Sequence, residues 1–160
     1  MRGFLIWLLL APWAWAQAEP PRDSLPVWVS VGLSVGQISE IQETTGQFTA
    51  TCDLRLAWQD PRLAFADSRR GERRREFGGR RALVQLAKMW DPGIQISNLR
   101  GAPLVEQVVD QTIWIGSDGQ VEWIRRLRGS FTANYDTANF PLDRQSLTFD
   151  FLSAEYNRHS

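Results

Sequence analysis

The strictest pattern in the sequence is an alternation of apolar and polar side chains between Phe48 and Gln59. Its apolar members occupy every second position: Phe48, Ala50, Cys52, Leu54, Leu56 and Trp58. Side chains of a β-strand point alternately to its two faces, so the pattern predicts a strand of about 11 residues, or ~36 Å, with one face against a core. A helix would scatter these residues around its surface, because its apolar stripe needs a period of 3.6 residues.

Other stretches carry the same signs of β-structure. Residues 27–36 alternate with the same period, and Glu43-Thr44-Thr45-Gly46 is the turn expected before the Phe48 strand. Gly116-Ser117-Asp118-Gly119 suits a second turn, because glycine readily adopts positive φ. Further strands are predicted at residues 94–98, 105–115, 120–131 and 146–152, and a short helix at residues 82–88. Many strands joined by short turns predict an all-β fold, an immunoglobulin-like β-sandwich.

Residues 69–81 contain seven arginines, interleaved with Glu72, Glu76 and three glycines. Such a run can bind phosphate or an anionic lipid surface. A basic run mixed with acids and glycines is more typical of a solvated loop, which is the interpretation adopted for this stretch.

The sequence lacks the residue types that most catalytic sites require. The only histidine, His159, lies beside the C-terminus, and Cys52 is the only cysteine, which excludes an internal disulfide framework and a Cys-rich zinc site. Asp118 and Glu122 would form a glycosidase pair only if they faced each other across a sugar, which a hairpin turn gives no reason to expect. The 18 basic and 18 acidic residues balance, which removes the usual argument for nucleic-acid binding. The chain is therefore expected to be no enzyme, with no cofactor and no metal.

The first 18 residues have the composition of an export signal. Arg2 precedes an apolar run over residues 4–10, and Ala14-Trp15-Ala16 and Ala16-Gln17-Ala18 fit small-residue cleavage sites. The run is shorter than the about 20 apolar residues that cross a bilayer. We therefore expect a signal peptide at residues 1–18 and a folded, exported domain at residues 19–160.

Three separated motifs carry a resemblance to a known family. They are Trp58-Gln59-Asp60-Pro61-Arg62-Leu63, Trp90-Asp91-Pro92-Gly93-Ile94-Gln95-Ile96-Ser97-Asn98 and Phe140-Pro141-Leu142-Asp143-Arg144-Gln145. In order and spacing they resemble the extracellular ligand-binding domain of pentameric ligand-gated ion channels, the Cys-loop receptor superfamily. The structural members of this pattern are Trp58, Asp60, Arg62, Trp90, Pro92 and Asn98.

The sequence also departs from the family pattern. The two cysteines that name the superfamily correspond to Ala133 and Leu147, which is similar to the prokaryotic branch, and Gly93 replaces an acidic residue. The family continues beyond the position of Ser160 with more strands and four membrane helices. The resemblance thus implies a sandwich that is incomplete at its C-terminus, with the pore and transmembrane channel domain absent from this chain.

The function implied by the resemblance is sensing. In the family, a ligand or proton binds between neighbouring subunits of a pentamer and biases the gating of the pore, at the extracellular or periplasmic face of the plasma membrane. We therefore expect a homopentamer whose partners are copies of the chain itself, with a small-molecule ligand that the sequence does not identify.

Site positions follow from the same resemblance. On the principal face they are Ser97 and Ala154, with Glu155 and Tyr156 near Ala154. Neither Ser97 nor Ala154 carries an aromatic ring that could stack on a quaternary amine. On the complementary face they are Asp53 and residues 120–128, within which Arg125 is the candidate. The gating interface is expected at Glu43, Phe140, Pro141 and Asp143, since apolar groups exposed at a loop tip usually mark a partner surface.

A second interpretation remains open from the sequence. The chain could be a free-standing secreted β-sandwich that binds carbohydrate, with Trp114 and Trp123 as a stacking platform. That hypothesis requires both rings to be exposed on one flat face.

Overall fold

One antiparallel sheet contains most of the strands. The computed structural model describes residues 19–21, 25–42, 44–66, 73–101, 108–133 and 146–153. Its strands are β1 (Ser30–Gln42), β2 (Gln47–Gln59), β3 (Arg74–Gly78), β4 (Ile94–Ile96), β5 (Leu99–Arg100), β6 (Val108–Gly116), β7 (Gln120–Thr132) and β8 (Phe151–Ser153). The helix α1 spans Arg80–Leu86, and a 3-10 turn spans Pro61–Leu63. The large sheet has the order β1-β2-β7-β6-β3 with β5 also on β7, and β4 and β8 form a second sheet.

The centre of the large sheet is the pairing of β2 with β7. It is continuous from Gln47 opposite Thr132 to Gln59 opposite Gln120. The apolar positions of β2 are buried along its whole length, which confirms the strand predicted from the alternation and the all-β fold.

Aromatic side chains fill both ends of the core between the two sheets. At one end the rings of Phe48 and Phe131 stack with centroids 5.4 Å apart, and Phe149 meets both edge-on. At the other end Trp58 and Trp90 pack edge-to-face at 6.1 Å. Edge-to-face and offset contacts suit the quadrupoles of the rings.

The first strand differs from the prediction for a local reason. A β-bulge between Val35 and Gln37 shifts the register, so the apolar positions change from odd to even numbers and Ile38 faces Ala50. The extra residue breaks the period-two pattern of the sequence at this point, whereas the strand continues to Gln42.

The prediction of a solvated loop at residues 69–81 is wrong about the backbone of the described part, although the described arginines of the run are exposed. Arg74–Gly78 is the edge strand β3, paired with β6, and α1 begins at Arg80. The guanidinium groups have aromatic partners: Arg74 lies 4.5 Å from the Trp114 ring centroid and Arg75 lies 3.9 Å from that of Phe65. Cation–π contacts of this kind stabilise the basic edge strand while its arginines stay exposed to solvent.

The strand β1 leaves an apolar row open to solvent. Val31, Val35 and Ile38 pair with core-facing residues of β2 and therefore lie on the core side of the sheet, yet they are 42–43% exposed. Among the described residues the second sheet consists only of β4 and β8, whose described contacts reach β7. The row is the portion of the core-facing surface that this small second sheet leaves uncovered.

The corner after β2 packs tightly on the β6–β7 turn. The Asp60 amide donates to the Gly119 carbonyl at 3.0 Å, and Phe65 donates to Ser117 at 3.1 Å. Gly119 has φ +84°, and a Cβ there would lie 2.5 Å from the Asp60 carbonyl oxygen. Only glycine satisfies both constraints.

This close approach predicts that Gly119→Ala destabilises the domain more than Gly79→Ala. Both positions have positive φ, which costs about 1–3 kcal/mol for a residue with a Cβ. A Cβ at Gly79 meets nothing within 4 Å, whereas at Gly119 it meets backbone. Urea denaturation of both variants measures the difference, and equal losses of unfolding free energy would contradict the clash.

Candidate functional site

The outward face of the large sheet is lined with charged side chains. The positions of β2 that alternate with the core residues include Asp53 and Arg55, and those of β7 include Glu122, Arg126 and Arg128. Because β2 and β7 pair in register, these side chains lie beside one another across the strands.

Asp53 and Arg126 form a two-pronged ion pair on this face. Arg126 donates from Nε to Oδ1 of Asp53 at 2.8 Å and from Nη2 to Oδ2 at 2.9 Å. The hydrogen bonds from Arg126 lower the pKa of the Asp53 carboxyl, and the same pair, with Asp110 on the next strand, raises the pKa of Arg126. Asp53 therefore stays ionised at neutral and mildly acidic pH.

A groove of about 280 Å³ lies beside this ion pair. It is lined by Gly36, Gln37, Thr51, Cys52, Asp53 and Arg126. The β1 bulge contributes two of these residues, so the same irregularity that extends the first strand also shapes the groove. A small ligand with a charged group would meet both a carboxylate and a guanidinium there.

Cys52 contributes to the wall of the groove without being reactive. Its side chain is buried, and desolvation together with the neighbouring Asp53 charge raises the pKa of the thiol to about 11. A thiol of this pKa is almost entirely protonated at neutral pH, and the thiolate is the nucleophilic form.

A second charged group lies further along the same face. Glu122 pairs through Oε1 with Arg55 and through Oε2 with Arg74, both at 2.9 Å. Arg74 also covers the Trp114 ring, and the groove of about 290 Å³ around these residues includes Ser117 and Asp118. Both carboxylate oxygens of Glu122 are bonded to guanidinium groups. The charged groups of this groove are therefore less available to a ligand than those beside Asp53.

Arg125 lies on the other face of β7 from Asp53. Its side chain points into the core and is 6% exposed. The two residues predicted for the complementary face are therefore not brought together, and Arg126, which the sequence analysis did not single out, is the neighbour of Asp53. Alternation along residues 120–128 was the signal that would have identified Arg126.

Trp114 and Trp123 do not form a platform. Trp123 is 4% exposed and donates from its indole nitrogen to Gln111 at 3.3 Å, while Trp114 pairs across the strands with Glu122 on the outward face. The two rings lie on opposite faces, so the condition for a carbohydrate-stacking module is not met.

Ser97 follows β4 at the edge of the second sheet. Its backbone amide donates to the Asp150 carbonyl at 2.7 Å and its hydroxyl to the same oxygen at 3.2 Å. Asn98 donates to the carbonyls of Thr132 and Thr148 at 2.9 and 2.8 Å, and accepts from the Asp150 amide. Asn98 thus joins both sheets, and Ser97 stands exposed next to this junction.

The Trp58 and Trp90 motifs meet at the opposite end of the core. Asp60 is buried and accepts from the backbone amide, Nε and Nη2 of Arg62. Pro92 is buried beside an Asx turn in which the Gly93 amide donates to Asp91 at 2.8 Å. Gly93 has φ +64°, which explains why glycine occurs where the resemblance expects an acid.

Comparison with known proteins agrees with these motifs. Residues 9–160 match the neurotransmitter-gated ion-channel ligand binding domain family. The chain belongs to this family.

Its relatives include animal receptors and a bacterial channel. A gamma-aminobutyric acid receptor subunit pi of Rattus norvegicus is 31% identical over 133 residues, which are 82% of this chain and 28% of the relative. A gamma-aminobutyric acid receptor subunit rho-2 of the same species is 31% identical over 129 residues, 80% of this chain and 26% of the relative. A proton-gated ion channel of Gloeobacter violaceus is 27% identical over 147 residues, 89% of this chain and 38% of the relative. The chain thus spans well under half the length of these relatives.

The remaining candidate residues lie outside the described part of the chain. These are Ala154, Glu155 and Tyr156 of the principal face and Glu43, Phe140, Pro141 and Asp143 of the gating interface. No helix among the described residues is long and apolar enough to cross a membrane. The described ranges also hold no group of three or more His, Cys, Asp or Glu side chains that could ligate a metal.

The Asp53–Arg126 pair predicts a pH dependence of stability. Because the pKa of Asp53 is lower in the folded chain, the pair stabilises the fold above the unfolded value of about 3.9. That contribution is lost as the pH falls through the lower folded pKa.

Unfolding free energies of the wild type and Asp53→Asn, measured between neutral pH and pH below 3, should therefore converge on acidification. Asp150→Asn is the control, since its carboxylate has no ion pair among the described side chains. Parallel curves for the wild type and Asp53→Asn would contradict the assignment.

Proposed function

We propose that this chain is the ligand-sensing domain of a homopentameric ligand-gated channel of the prokaryotic type, exported to the extracellular or periplasmic face of the plasma membrane. Family membership supports the sensing role. The observation that carries the ligand-binding part is the charged groove beside Asp53 and Arg126. This face supplies one half of a binding site, and the Ser97 edge of a neighbouring copy supplies the other.

The chemistry of the groove favours a small charged molecule over a proton at Asp53. Arg126 holds the pKa of Asp53 below its ordinary value, so this carboxylate does not change its charge between neutral and mildly acidic pH. A ligand carboxylate can instead compete with Asp53 for the Arg126 fork, since arginine binds carboxylates through two parallel hydrogen bonds.

The principal half of the site is proposed to comprise Ser97 with Ala154, Glu155 and Tyr156. A serine and an alanine offer hydrogen bonding and space rather than an aromatic surface. This composition agrees with recognition of the ligand through charge on the complementary side, at Asp53 and Arg126.

Coupling to the pore is proposed at Glu43, Phe140, Pro141 and Asp143. Support comes from the positions of the neighbouring described residues. Gln47 pairs with Thr132, and the Ala133 amide donates to the Gly46 carbonyl at 2.8 Å, so Gly46 of the first hairpin turn and Ala133, which follows β7, lie at the same end of the sheet. A ligand that binds one of two pentamer states more tightly shifts the equilibrium toward that state. The change of state would reach the pore through this end of the sheet.

Titration with gamma-aminobutyric acid tests the ligand chemistry. Arg126→Gln should weaken binding at least about tenfold, because it removes a charge-assisted hydrogen bond. Arg128→Gln removes one positive charge from the same exposed face, but Arg128 does not line the groove. This substitution should change the affinity less than about twofold.

Calorimetry on the assembled protein at constant pH measures the binding of gamma-aminobutyric acid. A parallel titration with acid measures the response of the same variants to protons. If both substitutions weakened binding equally, net charge alone would explain the loss, which would contradict a binding site in the groove beside Asp53 and Arg126. If the wild-type protein responded to acid and not to gamma-aminobutyric acid, its ligand would be a proton, and the proton-binding site would lie outside this groove.

A further inference from the structure

Arg125 is a buried charged residue on the core-facing side of the large sheet. It lies on the inner face of β7, opposite Leu54 on β2, and follows the buried Trp123 on that face. Its side chain is 6% exposed. Removing a guanidinium from water is costly unless its hydrogen-bond donors find partners.

The partners of Arg125 are few and specific. Nη2 donates to the carbonyl oxygen of Ile94 at 3.0 Å, and the guanidinium lies 4.1 Å from the centroid of the Trp123 ring. Its Nε has no hydrogen-bond partner among the described residues. Burial lowers the pKa of this arginine, and the charge of Asp91 acts in the opposite direction.

The contact with Ile94 crosses from the large sheet to the second one. Ile94 begins β4, which leads directly to Ser97 and Asn98. Asn98 fixes the far end of this segment to Thr132, also on β7. Arg125 therefore provides the second attachment of residues 94–98 to the same strand.

We propose that Arg125 is a positioning residue that holds residues 94–98, and with them Ser97, against β7. The next residue on β7 is Arg126, whose side chain leaves the opposite face and pairs with Asp53. One strand thus supports both surfaces that a chain contributes: the complementary half of one site through Arg126 and the principal half of the next site through Arg125. The functional part of this inference rests on the proposed ligand-sensing role.

A purely stabilising role predicts a different behaviour. A buried charge with one hydrogen bond and an unpaired Nε is a poor source of stability, and apolar residues of similar volume often replace buried charges without loss. Methionine at this position can fill the volume beside Trp123 but cannot donate to Ile94. Positioning and stability are therefore separable in Arg125→Met.

Hydrogen–deuterium exchange on the purified chain measures the positioning directly. Arg125→Met should keep or raise the melting temperature and speed amide exchange over residues 94–98 at least about tenfold, while the β2–β7 amides stay protected. Leu127→Met, on the same inner face, is the matched control and should leave residues 94–98 unchanged. Arg125→Lys keeps the charge without the planar fork and should give a smaller rise.

The functional arm uses gamma-aminobutyric acid as the probe. Where the wild type binds it, Arg125→Met should weaken binding at least about fivefold at unchanged melting temperature, and unchanged affinity would overturn the link to the site. Wild-type exchange over residues 94–98 in every variant that folds would overturn the positioning role itself. A wild type that does not bind the probe refutes the proposed ligand chemistry, and the exchange result alone then decides on Arg125.

Discussion

The structure depends on the uninterrupted pairing of β2 with β7. Because every residue of β2 has a partner on β7, the two strands share one apolar face and one charged face along their whole length. The apolar face carries the core from Phe48 to Trp58. The charged face carries the Asp53–Arg126 pair, so the interaction that builds the fold also sets the geometry of the candidate site.

Much of this was predictable from residue patterns. The alternation around β2 is regular enough to define a half-buried strand, and the three motifs point to the family that the comparisons show. The pattern predicts too short a first strand because the bulge at Val35 changes its phase. It does not predict β3, because the stability of β3 comes from partners distant in sequence, such as Trp114 and Glu122.

The site was predictable only in part, for a similar reason. A resemblance assigns positions to a face, but adjacent residues of a strand point to opposite sides, so the role expected of Arg125 belongs to Arg126. Arg126 meets Asp53 outside, and Arg125 meets Ile94 inside. Adjacent residues of β7 thus contact the two surfaces that this chain is proposed to contribute to its two neighbouring sites.

The most direct measurement is a crosslink between the two faces of neighbouring copies. Ser97→Cys and Asp53→Cys are combined in one chain, joined by a short bis-maleimide, and the products are sized on a denaturing gel. The native Cys52 does not interfere, because its thiol is buried. Head-to-tail assembly with closure predicts a ladder that ends at five copies, with the Ser97→Cys single variant giving no species above a dimer. A double variant that stops at dimers would contradict the account.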